Sequence, residues 1–444
     1  MSSSKRAVAV VRPAVPRARS KAESSGADVA WPKLRAAASK ARVVALAVFI
    51  VLSTLPILAQ DEGGSVEERL KTPAPPIVFD PWQAIERGEF FNEFEAAFPS
   101  PELSGVAAND TVRLRCFMPP ESTGPVPVVV MLHYWGATNR GLERQAATDL
   151  CSRGIAVVSL ALPYHLERTP PGSRSGEQAI TPDPAALVRT MLQSVQDVKR
   201  TVDWIESRPE FDRGRVGIAG VSLGGVVASL AFAVEHRFQS AAFMLAGADL
   251  AGLLWNSSRV VGQRDALRRA GYTEARLRQE LVKIEPLGYL LTAPSRPSLV
   301  IVADMDTVVP AKCSDALIEA LHEPQVTRIG TGHYGGALGQ RGGVGGGARF
   351  FRGGGLRRGY RGPASVSAPT LRVGLLYSEE RSLQFAAGID LWKGSRGGST
   401  FGSVLGTPQG LQGFAGVQLG RGLSLGVVVL PRRPVIGAFW STVL

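Results

Sequence analysis

The sequence predicts an α/β fold in which a mostly parallel central sheet is covered by helices on both faces. Between about residues 111 and 337, short apolar segments alternate with longer segments of helical period. Strands that are apolar on both faces, such as Val128-Val129-Val130-Met131-Leu132, are typical of a buried parallel sheet. One apolar segment runs through a glycine-rich turn straight into a helix candidate of small residues. This pattern predicts a sharp strand-to-helix turn near the middle of the chain.

The alternation is regular enough to assign elements. Strands are predicted at Val112–Met118, Val126–Leu132, Ile155–Leu162, Arg215–Ala219, Ala241–Leu245, Leu299–Ala303 and Val326–Ile329. Helices are predicted at Arg140–Arg153, Ala185–Ser207 and Val226–His236. The predicted domain, 111–337, is long enough to bury a sizeable hydrophobic core.

The glycine-rich turn, Gly220 to Gly225, reads Gly-Val-Ser-Leu-Gly-Gly and has the pattern of a nucleophile elbow. In such a turn the serine adopts a strained backbone conformation. Small residues two before and two after it let the strand and helix backbones approach closely. We expect Ser222 to stand exposed at the carboxyl end of a central strand, as the candidate nucleophile.

An activated serine needs a base, and the base needs an orienting acid. His333 lies between glycines after the last predicted strand, so we predict it as the base. Asp306 follows the preceding strand and is our prediction for the acid. Asp304 and Asp249 remain alternatives, and we expect Asp304 to cap the turn instead, with its carboxylate.

The oxyanion formed during acyl transfer needs two N–H donors. We predict Leu223, the residue after the serine, as one of them. The second should come from the loop after strand Val126–Leu132, with Trp135 as first choice and Tyr134 as second. His133, in the same loop, is predicted to hold the loop rather than to react.

These motifs carry a resemblance that covers residues 110 to 335. The Gly220–Gly225 turn, the Asp306 loop and His333 occur in the order found in the α/β-hydrolase superfamily. The chain most resembles dienelactone-hydrolase-like and acetylxylan-esterase-like bacterial esterases. The resemblance implies a serine esterase that forms an acyl-enzyme. The chain departs from the family where Tyr134 stands in place of a frequent glycine, and where glycine-rich sequence follows His333 in place of a closing helix.

Charge and composition exclude other classes of function. The formal net charge is +12, but residues 1–60 contribute +8 and 335–444 contribute +10, which leaves −6 for the middle of the chain. No basic stripe with interleaved aromatic residues occurs there, so nucleic-acid binding is not expected.

The histidines have no metal-ligand spacing, and we predict neither a metal nor a cofactor. The three cysteines cannot all pair, and we expect them to be buried hydrophobic residues.

The amino-terminal 60 residues predict export. Residues 1–42 are basic and lack apolar periodicity, whereas 43–59 are almost wholly apolar. The apolar segment is either a cleaved signal peptide or a retained membrane anchor. The protein is therefore expected to be periplasmic, secreted or membrane-anchored, with membrane contact only through 43–59. We expect residues 61–110 to form a linker and an amino-terminal extension.

Two further segments lie outside the regular alternation. Residues 248–297 contain charged helical sequence and predict either a small cap over the sheet or an ordinary long crossover. In the tail, 338–444, a Gly/Arg-rich linker at 342–362 precedes segments of period-two alternation. These segments predict four or five strands in hairpins, as in an outer-membrane-like or accessory β segment, and four strands cannot close a barrel alone. Alternatively, the tail is translated out of frame.

The function predicted from these features is that of an exported serine hydrolase, a carboxylesterase for small or medium ester or lactone substrates. A serine peptidase with the same three residues is an alternative. A non-catalytic envelope module that keeps the fold as a scaffold is another. The acyl group, the alcohol and the oligomeric state stay open.

Overall fold

The computed structural model describes residues 64–338, 347, 349–351, 365–366, 370–379, 382–393, 400–420, 423–429 and 434–443. The predicted basic leader and the apolar segment 43–59 lie outside the described residues, as does most of the predicted Gly/Arg-rich linker. Within the described ranges, no helix combines the length and the hydropathy needed to span a bilayer.

Ten strands of the described chain form one sheet in the order β1-β2-β3-β5-β4-β6-β7-β8-β9-β10. Their bounds are Gln83–Arg87 (β1), Asn92–Pro99 (β2), Thr111–Met118 (β3), Val126–Leu132 (β4), Ala156–Leu160 (β5), Phe211–Val221 (β6), Phe238–Met244 (β7), Ser298–Ala303 (β8), Gln325–Ile329 (β9) and Ser365–Val366 (β10). Strands β4 to β10 are parallel, and β1 to β3 add an antiparallel edge. The predicted α/β fold with a mostly parallel sheet is confirmed.

Helices connect these strands and cover the sheet. Their bounds are Val66–Lys71 (α1), Gly141–Cys151 (α2), Pro184–Glu206 (α3), Leu223–Val234 (α4), Leu250–Asn256 (α5), Val261–Arg269 (α6), Glu274–Leu281 (α7), Pro286–Leu290 (α8), Ala311–Ala320 (α9) and His333–Leu338 (α10). The longest of them, α3, begins with Pro184 after the cap residue Asp183, whose carboxylate accepts a hydrogen bond from the Ala185 N–H. Proline fits this first turn because its nitrogen has no hydrogen to leave unpaired.

The seven strands predicted from the sequence all occur, and their bounds differ from the observed ones by at most four residues. The segment 61–110, which we predicted as a linker and an amino-terminal extension, contains two strands of the sheet. Strand β1 pairs with β2, and β2 pairs with β3. Every residue of β1 is exposed, so the strand has no apolar alternation from which it could be recognised. The hairpin is fastened by side chains, among them Trp82, which stacks on Phe94 with ring centroids 4.5 Å apart.

A buried polar network fixes the amino-terminal edge to helix α3. The fully buried Arg168 guanidinium donates to the Asp197 carboxylate at 2.7 Å, and the Ser100 hydroxyl donates to the same carboxylate at 2.6 Å. A buried charge is strongly destabilising unless it is paired, so these contacts constrain the conformation of the connecting segments. They join residues that lie 97 positions apart in the sequence.

Two hydrophobic clusters lie on the two faces of the sheet. The smaller cluster contains Phe350 and Phe351, which are helical residues within the predicted Gly/Arg-rich linker. The prediction that this stretch is too poor in apolar residues to fold is therefore wrong at these two positions. A Cβ on Gly217 would stand 2.7 Å from the Phe351 ring, so the glycine in strand β6 makes room for it. Helix α10 likewise follows strand β9 where only glycine-rich sequence was expected.

The tail forms a closed antiparallel barrel of six strands within the described residues. Their bounds are Thr370–Ser378 (β11), Ser382–Lys393 (β12), Thr400–Thr407 (β13), Gly410–Gly420 (β14), Leu423–Val429 (β15) and Pro434–Val443 (β16). The prediction of four or five strands was too low, because β16 pairs back onto β11 and closes the ring. Large apolar side chains are exposed on the barrel at Leu371, Leu375, Tyr377, Leu383, Phe385, Ile389, Leu391, Leu411, Val417, Leu419, Leu423, Leu425, Val427, Val429, Ile436 and Trp440.

Helix α2 contains a buried carboxyl group with a consequence for stability. Glu143 is fully buried, neither carboxylate oxygen has a hydrogen-bonding partner on another described residue, and burial raises its pKa from 4.5 to about 7. The folded state thus retains its proton to higher pH than the unfolded state does. Stability must fall as the pH rises from about 4.5 to 7, and above 7 the loss is complete and constant.

We expect Glu143→Gln to remove this dependence, because glutamine does not ionise. Relative to the native chain, the variant should gain on the order of 3 kcal/mol of unfolding free energy between pH 5 and pH 8. Denaturant unfolding at the two pH values measures the difference. Parallel pH dependence in the two proteins would show that Glu143 does not titrate in this range.

Candidate active site

Ser222 lies in the turn between strand β6 and helix α4, as the sequence predicts. Its backbone has φ 54° and ψ −117°, a conformation that L-residues rarely adopt. A strained residue of this kind persists only where the surrounding structure determines it, and such residues cluster at functional sites. Strand β6 supplies that support, because β4 and β7 pair with it on either side.

The glycines of the turn are required by the close approach of two backbones. A Cβ on Gly220 would stand 2.1 Å from the Gly224 carbonyl oxygen, and a Cβ on Gly224 would stand 2.3 Å from the Leu132 oxygen. Both distances are far below van der Waals contact, and both are to backbone atoms that cannot turn away. The strand and the helix can therefore meet at this angle only without side chains at these positions.

His333 and Asp306 come together with the serine from two different loops. His333 Nε2 lies 3.1 Å from the Ser222 Oγ, and His333 Nδ1 lies 2.7 Å from Asp306 Oδ2. The side chains of the histidine and the aspartate are 9% and 5% exposed, so the pair is shielded from bulk water. Since an ionised carboxylate can only accept, the proton on the ring belongs on Nδ1, which leaves the Nε2 lone pair for the serine hydroxyl.

The other two candidate acids have different partners. Asp249 accepts a hydrogen bond from the Gly252 N–H at 3.0 Å and forms an ion pair with Arg278, so it caps helix α5. Asp304 is 45% exposed and lies 3.6 Å from Arg328. The expectation that Asp304 caps the turn is wrong: Asp306 Oδ1 accepts from the N–H groups of residues 308 and 309, both at 2.8 Å.

The loop after strand β4 contains the candidate oxyanion donors. His133 is fully buried and bridges two segments: its Nδ1 donates to the Tyr134 carbonyl oxygen, and its Nε2 accepts from the Leu162 N–H at 3.0 Å. Burial holds the pKa of His133 well below its usual range, so the ring stays neutral. Trp135 is anchored by its indole N–H, which donates to the Gly176 carbonyl oxygen at 2.7 Å. Tyr134, Trp135 and Leu223 all line the same cavity as Ser222.

That cavity has a volume of about 660 Å³ and a predominantly apolar lining. Many of its apolar residues come from the segment between β7 and β8, which forms helices α5 to α8: Leu250, Leu253, Leu254, Val260, Leu281 and Ile284. This segment therefore shapes the cavity that receives Ser222. Its residues escaped prediction because they form no motif and no strand signal, and they acquire a role only from the way the helices pack.

The cavity has one permanent charge among its described lining residues. Arg259 is exposed at the cavity and its guanidinium lies 5.3 Å from the centre of the Trp135 ring. No Asp or Glu occurs among the described residues that line the cavity. Arg259 could not be recognised from its sequence context, because it stands in the loop before α6 and outside every motif.

The order of strands, the strained turn after β6 and the chain order of serine, aspartate and histidine decide the fold. The domain has the α/β-hydrolase fold. Residues 109–281 also match the family model described as X-Pro dipeptidyl-peptidase (S15 family). That match spans the turn and the cavity loops of the α/β-hydrolase domain but ends before Asp306 and His333.

Solved structures of two esterases are similar to the chain. One is an acetyl xylan esterase from Paenibacillus sp. R4, at 17% identity and a TM-score of 0.48, with 62% of this chain and 87% of that chain covered. The other is acetyl xylan esterase 1 from Thermoanaerobacterium sp. JW/SL YS485, at 15% identity and a TM-score of 0.48, with 62% and 88% covered.

A sequence relative is an uncharacterized protein of Mycobacterium tuberculosis, found in two strains. It is 31% identical over 150 residues, which cover 33% of this chain and 32% of the relative. The chain thus spans about a third of the length of the curated relatives it matches.

Gly220→Ala tests the backbone approach in the turn. The added Cβ would meet the Gly224 carbonyl carbon and oxygen at 2.3 and 2.1 Å, so strand β6 and helix α4 must separate. We expect a loss of unfolding free energy of about 2–4 kcal/mol, typical of overpacking against an immobile neighbour. Chemical denaturation measures it.

Gly214→Ala is the matched control, since a Cβ there meets only the Asp212 side chain, at 3.4 Å. It should cost less than 1 kcal/mol. Equal stability of the two variants would contradict the constraint that we assign to Gly220.

Proposed function

We propose that the protein is a serine hydrolase, specifically a carboxylesterase that acts on small or medium esters or lactones. The observation that carries the proposal is the hydrogen-bonded chain from Ser222 through His333 to Asp306, which opens on an apolar cavity. The apolar segment 43–59 is the basis for the further proposal that the enzyme is exported, by a cleaved signal peptide or as an anchored protein.

In the proposed mechanism, Ser222 Oγ attacks the substrate carbonyl while its proton passes to His333 Nε2, 3.1 Å away. Asp306 holds the ring in the required tautomer and stabilises the imidazolium that forms. When the tetrahedral intermediate collapses, His333 gives the proton to the departing alkoxide oxygen, and the acyl group stays on Ser222. Water then enters and attacks the acyl carbonyl as it loses a proton to His333, and His333 gives that proton to Ser222 Oγ when the bond to the acyl group breaks and the acid leaves.

The negative charge on the substrate oxygen requires donors that are already in place. We assign the Leu223 N–H as one donor, because Leu223 opens helix α4 directly after the serine. The second assigned donor is the Trp135 N–H, with Tyr134 as the alternative, since both residues line the cavity beside Ser222. The anchoring of Trp135 through its indole supports the first choice.

The chemistry of the cavity favours an ester over a peptide. Its volume, about 660 Å³, lies within the range of small-molecule sites, and its apolar lining suits an alkyl or aryl acyl group. An enzyme that removes an X-Pro dipeptide must bind the charged α-amino group of its substrate. The described lining offers no carboxylate for that group, and Arg259 would repel it.

A serine peptidase is the second candidate, and the match of residues 109–281 to the X-Pro dipeptidyl-peptidase family favours it. Assays of short peptide amides beside esters discriminate the two activities. A non-catalytic envelope module is the third candidate. Against it stands the intact chain of hydrogen bonds, since a scaffold has no need for a histidine aligned between a strained serine and a buried carboxylate.

Ser222→Ala tests the proposed nucleophile. Without the hydroxyl no acyl-enzyme can form, so we expect kcat for p-nitrophenyl butyrate to fall roughly 10⁴–10⁶-fold. Purified full-length protein is assayed at several substrate concentrations to separate kcat from KM. A fluorophosphonate probe should label the native chain at residue 222 and leave the variant unlabelled.

Ser194→Ala is the matched control for this experiment. Ser194 lines the same cavity, but its hydroxyl donates to the Thr190 carbonyl oxygen of its own helix. The variant should keep its kcat within about twofold. Native protein that neither hydrolyses esters or peptide amides nor reacts with the probe would refute the catalytic proposal and favour the non-catalytic module.

Asp306→Asn separates orientation of the histidine from support of the turn. The Asn oxygen can still accept from residues 308 and 309, so the variant should fold, whereas its amide cannot accept from the His333 Nδ1–H. We expect kcat to fall about 10⁴-fold, as in other triads that lose the orienting acid.

Asp304→Asn is the comparison, because Asp304 is exposed and its ion pair with Arg328, at 3.6 Å, is also exposed to solvent. It should retain full activity and lose less than about 1 kcal/mol of unfolding free energy. The reverse pattern in kcat would transfer the proposed acid role to Asp304.

A further inference from the structure

The barrel of strands β11 to β16 encloses a network of polar side chains beside an apolar cluster. Arg372 Nε donates to Asp390 Oδ1 at 2.8 Å, and both side chains are at most 1% exposed. Ser403 donates to the same aspartate oxygen at 2.6 Å. Gln384 and Gln412 form a second buried contact at 3.2 Å. Several buried polar side chains are unusual in so small a domain in water, because each must replace the hydrogen bonds to water that it loses on burial.

The outer surface of the barrel is largely apolar. Sixteen of the 26 large apolar side chains that are exposed in the described part of the chain lie on these strands, among them Leu411, Ile436 and Trp440 at 76%, 77% and 64% exposure. The charged residues within the six strands are Arg372 and Asp390, which are buried, and Lys393, which ends β12. Lys393, at the end of β12, is thus the one charged residue of these strands outside the buried pair.

We propose that this barrel is a lipid-inserted anchor, with its outward side chains in contact with the acyl chains of a bilayer. Closed antiparallel strands whose outward side chains form an apolar surface, alternating with inward ones at period two, are a feature of barrels in membranes. Closure matters equally, because a closed barrel leaves no unpaired strand edge in hydrocarbon. Membrane contact would then not depend on the apolar segment 43–59.

The distribution of the apolar side chains favours lipid over a protein partner. The exposed residues occur on β11, β12, β14, β15 and β16, and these strands follow one another around the closed ring with only β13 between them. A protein that docks on one side would leave the other side in water. A bilayer surrounds the barrel and covers all of these strands together.

The lengths of four strands and the basic residues that flank the barrel also favour a lipid bilayer. Strands β11, β12, β14 and β16 have nine to twelve residues, and about 9–11 tilted residues cross a hydrocarbon core. Residues 335–444 contain thirteen basic and three acidic residues, and eleven of the basic ones lie outside the six strands. Basic residues in these flanking segments are attracted to anionic headgroups.

The interior of the barrel is filled, which assigns it the role of an anchor rather than of a channel. Seven buried apolar residues form a cluster inside it, including the aromatic rings of Phe401, Phe414 and Phe439. The ring of Phe414 lies 5.6 and 5.7 Å from those of Phe401 and Phe439. With six strands and this filling, no open lumen is left for a solute.

Flotation of the full-length chain with vesicles tests the proposal. We expect the protein to float with phosphatidylcholine vesicles, to stay bound in 1 M salt, and to bind faster when phosphatidylglycerol is included. Leu375→Glu with Leu425→Glu should lower the bound fraction at least tenfold. Leu103→Glu is the matched control, since Leu103 is equally apolar and 75% exposed but lies outside the barrel.

Tryptophan quenching gives a second readout that needs no disruptive variant. Trp440 projects from β16, so a phosphatidylcholine brominated on its acyl chains should quench a share of the fluorescence, and Trp440→Phe should remove that share. Absence of flotation in both lipids, release by salt alone, or equal quenching in Trp440→Phe would overturn the proposal. A well-defined oligomer that does not float would instead identify a second copy of the chain as the occupant.

Discussion

The structure of the candidate site depends on one steric constraint, the approach of strand β6 to helix α4 at Gly220 and Gly224. With 2.1 Å between a would-be Cβ and a carbonyl oxygen, the two backbones are as close as their atoms allow. The approach forces Ser222 into its strained conformation and points its hydroxyl away from the sheet. Strain of this kind costs about 1–3 kcal/mol. The fully buried central strands, paired on both sides, supply the stability that offsets it.

A second constraint fixes the segment between β7 and β8 against the sheet. The Glu285 carboxylate accepts from the N–H groups of Asp249 and Leu250, at 2.9 and 2.7 Å, where helix α5 begins. Asp249 in turn caps that helix from a left-handed conformation. Both carboxylates are therefore committed to the entry of the segment. Helices α5 to α8 thus present apolar side chains to the cavity, while Asp249 contacts Gly252 and Arg278 instead of His333.

The sequence predicted those features that depend on local pattern and failed where distant pairing decides. Strand alternation, the glycine turn and the order of Ser222, Asp306 and His333 can all be read within short windows, and the structure brings these three side chains together. Strand β1 escaped because an exposed strand at a sheet edge has no apolar period. Phe350 and Phe351 escaped prediction because two aromatic residues amid glycines form no pattern. They are buried because they pack on the sheet, where Gly217 leaves room for the Phe351 ring. The structure shows that Asp306 both accepts from the turn N–H groups and contacts His333, whereas Asp304 does neither. Sequence spacing alone does not determine this loop geometry.

The barrel shows why period-two alternation alone leaves the environment of a strand undetermined. Alternation assigns residues to two faces, but it does not say which face is inside, and in the tail both faces carry apolar side chains. Closure of β16 onto β11 decides the question, because it encloses the Arg372–Asp390 pair that strands β11 and β12 already bring together. Because successive side chains of a strand point to opposite faces, the residues next to Arg372 and Asp390 face outward whatever their polarity. The position of the buried pair therefore decides which residues face outward, and in this barrel those residues are mostly apolar.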